Sequence, residues 1–203
     1  MLDIKLDESN LRQIENVLEL MPNQLPGAIA RAINRSLAMT KTEQLRSSTS
    51  MYTIARGKLA ESITEYKASS GNLTGKIYSS GKVIGLDHFK LSPKTRLKKK
   101  KMVSISVKKG GMKTLPNAFI AYNDGRLGAF ERKGKTRLPI ERKMGPSAPQ
   151  MLGEMSILDY LQGFTEEKFN MRFDHEMGRL IKWYSIQKNI YMISWKKSWK
   201  KKI

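Results

Sequence analysis

The sequence predicts an α+β fold, with helices at both ends and an antiparallel sheet between them. Apolar residues recur at three- and four-residue steps near the two ends, whereas the middle alternates at two-residue steps between glycines. The first helix is expected over residues 9–20, where Leu11, Ile14 and Leu18 share a face, Val17 lies beside them and Ser9 can cap. Met21-Pro22-Asn23 breaks it, since proline has no amide to donate and biases the preceding residue away from helix.

A longer helix follows over residues 24–49, or about 36 Å of chain. Pro26 fits its first turn, and Leu25, Ala28, Ile29, Ala32, Ile33, Ser36, Leu37 and Thr40 make one stripe of small and branched side chains. Such a stripe lets a neighbouring element approach closely. A third short helix is expected from Thr53 to about Ala60.

From Ser62 the period shortens. Strands are expected near residues 62–68, 73–79, 83–89, 102–108, 117–123 and 126–132. The clearest is Met102 to Val107, where Val103, Ile105 and Val107 alternate with serines, and Asn123-Asp124-Gly125 signals a hairpin between the last two. Residues 90–102, almost wholly polar from Leu91 to Lys101, read as a protruding basic arm. After Pro146 and Pro149, helical spacing returns through Met151, Met155, Leu158 and Leu161, then Phe164, Phe169, Phe173, Met177, Leu180 and Ile181. Two helices, or one broken near Gly163, are expected. Chain length suggests one domain with a single core over residues 1–181, followed by a basic, aromatic extension over 182–203.

The formal charge of +20 calls for a polyanion or a strongly acidic protein neighbour. It is uneven. Residues 85–115 carry ten Lys or Arg against Asp87, and residues 182–203 carry seven Lys and no acid, which together supply 16 of the 20 charges. The first twenty residues run the other way, with Asp3, Asp7, Glu8, Glu15 and Glu19 against Lys5 and Arg12, a polarity suited to stacking or ring closure.

Cysteine is absent, which excludes disulfides and thiolate metal sites and agrees with assembly in a reducing cytoplasm. No secretory signal or apolar run of bilayer length is evident, so no membrane partner is expected. Asp174-His175-Glu176 and Asp87-His88 do not make a metal or acid–base site, because consecutive helical residues point about 100° apart and no second histidine cluster completes a site. The glycines lack the strand-to-helix context and lysine of a phosphate loop. No catalytic residue and no cofactor are expected, which argues against an enzyme such as a nuclease.

Two surfaces remain. The arm, with Lys94, Arg96, Lys98, Lys99, Lys100 and Lys101, joins Lys108 and Lys109 as a candidate for docking on an acidic protein or for contact with DNA phosphates. No aromatic is interleaved there, so base stacking is not expected. The C-terminal segment sets Trp183, Ile186 and Ile190 at helical steps beside lysines, with Trp195 further on, a pattern that suits core packing or an interface.

The order of features also resembles the minor tail protein Z family of tailed phages and prophages. The resemblance is carried by Pro26-Gly27-Ala28 opening a helix with Arg31-Ala32-Ile33-Asn34-Arg35, and by Leu115-Pro116-Asn117-Ala118-Phe119-Ile120 followed by Gly134, Arg137, Pro139 and Ile140. It covers about residues 22–180. It implies a structural virion protein acting late in tail assembly at the head-proximal end. Implied partners are copies of itself in a ring, typically a hexamer among related ring proteins, together with tail-tube, terminator or neck proteins. Contact with packaged DNA is a further possibility. The rival reading is a basic nucleic-acid-binding protein outside any virion.

Overall fold

A computed structural model describes residues 12, 14, 15, 17, 21–95, 102–123 and 125–200, without the side chains of Arg126 and of residues 190–200. The fold is α+β. In the segment expected as the first helix, Arg12, Ile14, Glu15 and Val17 are helical. Two long helices, α1 (Leu25–Met51) and α4 (Met155–Lys200), flank two short ones, α2 (Arg56–Ala60) and α3 (Ala148–Leu152), and ten strands. The strands are β1 (Ile63–Tyr66), β2 (Lys76–Ser79), β3 (Val83–Gly85), β4 (Lys90–Ser92), β5 (Val103–Ser106), β6 (Lys113–Leu115), β7 (Ala118–Asn123), β8 (Arg126–Arg132), β9 (Ile140–Arg142) and β10 (Met144–Ser147). Among the described residues they form four small groups, β1–β2, β3–β10, β4–β5–β6 and β7–β8–β9, the last three antiparallel, in place of the one sheet expected. With strands this short, each local hairpin satisfies its own pairing.

The chain divides into two compact units, residues 1–41, 65–77 and 159–203 in the first and 42–64 and 78–158 in the second. Each has an apolar cluster, so the single core expected from length is replaced by two. Helix α1 supplies both, Leu25, Ala28 and Ala32 to one and Leu45 to the other. At 27 residues it runs about 40 Å, longer than a small domain is wide.

In the first unit, Val17, Met21, Leu25, Ala28 and Ala32 pack with Phe169, Phe173, Met177 and Leu180. The last four recur at three- and four-residue steps and so share one face of α4. The rings of Phe169 and Phe173 lie 5.8 Å apart between centroids. Where the α1 stripe turns polar, Thr40 meets Thr165 in a buried hydroxyl–hydroxyl hydrogen bond of 3.0 Å, and Thr165 also donates to the Leu161 carbonyl. Small side chains thus let two helices approach closely, and Gly75 is admitted for the same reason: a Cβ there would stand 2.8 Å from Ile33 Cγ2.

In the second unit, β5 buries Val103 and Ile105, as its alternation predicts, with Leu86, Phe89, Leu91, Ile120 and Ala129 in the same cluster. A turn through Gly125 joins β7 to β8 in register from Asn123↔Arg126 to Ala118↔Glu131, and Gly125 takes the left-handed φ of 72° that such a turn requires. The strand expected over residues 83–89 stops at Gly85 instead. A 3-10 turn over Leu86–His88 bends the chain so that Leu86 and Phe89 both enter the core.

The C-terminal helices also depart from expectation in where they break. The break falls at Gly153, after α3, which Ser147 and Gln150 open with a reciprocal capping box. Gly163 sits unbroken inside α4, with no atom within 4 Å of the place a Cβ would take. One helical glycine costs about 1 kcal/mol, less than the packing of Leu161 and Phe169 on either side supplies. The expected extension from residue 182 continues α4 through Lys200.

Because the Phe173 ring is wholly buried, Phe173→Ala is expected to destabilise the chain by about 3–5 kcal/mol. Urea unfolding checks this, and an unchanged midpoint would mean that the α4 face is not a core.

Candidate functional site

The basic arm is rooted in the β4–β5 hairpin, which pairs Lys90 with Ser106, Leu91 with Ile105 and Ser92 with Ser104. Buried Leu91, Val103 and Ile105 anchor it. Lys94 is exposed just beyond the paired residues, while Arg96 and Lys98 to Lys101 lie outside the described residues. Lys108 and Lys109 leave the hairpin at its opposite end. By register, that is roughly 20 Å from Lys94, so these two do not extend one continuous patch with it.

Lys108 instead belongs to a polar trio that the sequence did not reveal. The Tyr52 hydroxyl donates to Glu154 Oε2 at 2.8 Å, Lys108 Nζ donates to Glu154 Oε1 at 2.9 Å, and the lysine lies 5.5 Å from the Tyr52 ring centre. Backbone bonds hold the partners in place: Thr53 N–H to the Val107 carbonyl at 2.9 Å and Lys109 N–H to the Met51 carbonyl at 2.7 Å. The trio ties the residue after α1 to the loop after β5 and to the turn before α4. Burial, then the hydrogen bond to Glu154, pushes the Tyr52 phenol up. The hydrogen bond to Glu154 raises the Lys108 ammonium, and the hydrogen bond from Lys108 holds Glu154 below the usual carboxylate value. Residues 52, 108 and 154 are far apart in sequence, and only the fold assembles them. Lys109 is exposed beside them and lines an open hollow of about 610 Å³ with Lys90 and Met112.

The residues that carry the family resemblance mainly hold backbone. Asn34 on α1 grips the chain beyond β1 from both sides, its Nδ2 donating to the Ala68 carbonyl at 2.9 Å and its Oδ1 accepting from the Ala68 N–H at 2.8 Å. Pro26 sits in the first turn of α1 with Gly27 after it, and Arg35 is exposed one residue beyond Asn34. In the second block, Phe119 lies half-buried on β7 with its ring 6.4 Å from that of Phe130, and the Arg132 guanidinium stands 5.2 Å over its face. Arg132 Nη1 also donates to the Arg137 carbonyl at 2.5 Å, and the Lys133 N–H to the Pro139 carbonyl at 3.2 Å. Pro116, Arg137 and Pro139 are exposed. The block thus shapes a basic surface loop between β8 and β9.

The C-terminal candidates come together with the first family block. Trp183 and Ile186, 47% and 49% exposed, line a groove of about 670 Å³ with Gly27, Arg31, Arg179 and Lys182. The side chains of Ile190 and Trp195 lie outside the described residues. Glu176, buried beneath, takes Arg31 Nε at 2.7 Å and Arg179 Nη1 at 3.3 Å. Burial pushes that carboxyl up, but the two arginines outweigh it and hold it below its ordinary range. The groove has an apolar wall and a cationic rim, and can grip an apolar segment that carries acids. Among the described residues no group of three His, Asp or Glu could hold a metal, and no helix is long and apolar enough to cross a membrane.

Asn34→Ala is expected to cost about 1–3 kcal/mol, because the buried Ala68 amide and carbonyl lose their partners; an unchanged melting temperature would contradict the clamp. The trio makes a pH-dependent contribution. Glu154 is depressed in the folded state, so its stabilisation is present above the ordinary value of 4.5 and is lost as pH falls through the lower folded value. Tyr52 and Lys108 are raised, so theirs is present below their ordinary values of 10.0 and 10.5 and is lost in stronger alkali. Glu154→Gln should therefore lower stability near neutrality and flatten its acid limb, as urea midpoints across pH would register.

Comparison with known proteins places these features in context. No curated protein and no solved structure matches the chain. The model of one family, prophage minor tail protein Z, matches residues 9–186, and so spans both motif blocks, the root of the basic arm and the groove around Trp183. The chain belongs to the prophage minor tail protein Z family, and is a structural component of a phage tail.

Proposed function

We propose that this tail protein completes the head-proximal end of the tail, where copies of it close a ring, a hexamer by the resemblance, that readies the tube for the head. The observation that carries the reading is the match to the minor tail protein Z family over residues 9–186, joined to a charge distribution that a free monomer would not favour. With 38 basic and 18 acidic residues, the chain repels itself unless an anionic neighbour covers it. A ring docked between other tail proteins supplies such neighbours.

In this reading the protein works sterically and makes or breaks no bond. The arm on the β4–β5 hairpin reaches an acidic face of an adjoining terminator or neck protein. Its four consecutive lysines, 98–101, act as point charges on that face. The C-terminal course of α4 serves contacts between subunits. Packaged DNA is the other polyanion at this end of a tail, and the arm's charge alone does not distinguish it from protein.

Replacing the lysines at 98–101 by glutamate is expected to leave the fold intact, since they lie beyond the buried hairpin root, and to abolish head joining. Complementation of a phage lacking the gene checks this, with free heads and unjoined tails as the expected product. Unchanged infectious yield would remove the arm from the mechanism. Strongly salt-dependent DNA binding by the purified wild-type chain, lost in the variant, would favour packaged DNA as the partner.

A further inference from the structure

The groove beside Trp183 has an apolar wall, a basic rim and no occupant supplied by the described residues. A second copy of the same helix is a poor candidate to fill it. Beyond Leu180 the sequence of α4 carries only lysines as charged residues, so two such faces repel. Nucleic acid is also a poor fit, because Arg31 and Arg179 already share Glu176 and the exposed wall is Trp183 and Ile186. What suits the chemistry is a short peptide segment with two or three apolar residues and a few carboxylates.

The chain contains such a segment at its start. Leu2, Ile4 and Leu6 alternate with Asp3, Lys5 and Asp7, and Glu8 follows. These residues lie outside the described ones. The segment's acids and apolar residues complement the basic rim and apolar wall of the groove, and in a ring a neighbouring copy supplies it.

We propose that the groove formed by Gly27, Arg31, Arg179, Lys182, Trp183 and Ile186 receives residues 2–8 of a second copy of this chain. Leucine and isoleucine side chains cover Trp183 and Ile186, and Asp3, Asp7 and Glu8 face Arg179 and Lys182. The donor segment and the acceptor groove are different surfaces, so the contact is head-to-tail and propagates around a ring. The inference rests on the ring reading above and supplies its subunit contact.

The absence of native cysteine allows a direct test. Ile4→Cys and Ile186→Cys copies, each carrying one substitution, are co-expressed in a host producing phage that lack the gene, and purified virions are run on a non-reducing gel. The expected result is a disulfide-linked dimer from the mixture that neither variant gives alone. Adding Asp3→Lys and Asp7→Lys to the first copy should lower the dimer yield roughly tenfold or more. Adding Arg179→Glu and Lys182→Glu to the second should restore it. A mixture in which both copies reach the virion without the dimer overturns the inference and leaves the tail role standing. So does a dimer indifferent to the charge reversals. Virions lacking the chain altogether would sink the tail reading and this contact with it. Thermal unfolding of each purified variant confirms that it folds, and Lys182→Glu alone, at an exposed position, serves if the double reversal does not.

Discussion

Uncompensated positive charge is the constraint under which the rest of this structure is arranged. The chain carries more than two basic residues for each acid, and its carboxylates are stationed where elements must be tied together. Glu176 holds two arginines against α4, Glu154 joins Tyr52 and Lys108, Asp87 takes Arg142 at 2.7 Å, and Glu65 takes Lys41. Most of the excess is left on the arm, the loop after β8 and the end of α4. Within the fold, acids staple elements together. The apolar clusters carry the folding energy. The electrostatic pattern therefore concerns assembly more than folding.

The two apolar clusters show how the long helices serve that pattern. Phe169, Phe173 and Met177 secure the middle of α4, and the last buried residue among those described is Leu180. The helix continues to Lys200 with Trp183 and Ile186 exposed. An exposed tryptophan beside an exposed isoleucine is the kind of surface that partners cover. That the first family block opens at the same groove, with Gly27 and Arg31 on its wall, links the residues that identify the family to a surface able to receive a segment. Asn34 and Phe119 do different work, holding the backbone that shapes each unit.

Much of the fold could be read from periodicity. The stripe of α1, the alternation of β5, the turn through Gly125 and the face of α4 each depend on local spacing, and local spacing is what a sequence displays. Shorter strands do not show it: β4, β6 and β9 have three residues each, too few for a period, and β10 is interrupted by Gly145 and Pro146. The helix break was assigned to the wrong glycine, because Gly153 and Gly163 look alike until packing distinguishes them. Of the site, the surface lysines and Trp183 were legible as charge and aromatic character. The Tyr52–Lys108–Glu154 trio was not, since residues about 50 positions apart in chain meet only through tertiary contact, and neither was the groove. Lys108 was grouped with the arm by its charge, whereas its ammonium is already bound to Glu154.

The central claim is that this tail protein acts by shape and charge as one segment of a ring at the head-proximal end of the tube. Electron cryomicroscopy of the neck of intact particles, with this subunit traced, tests it most directly. The account predicts a closed ring of this chain capping the tube, its basic arms against the next protein toward the head. Its absence from the particle, or a position at the distal tip, would contradict the account.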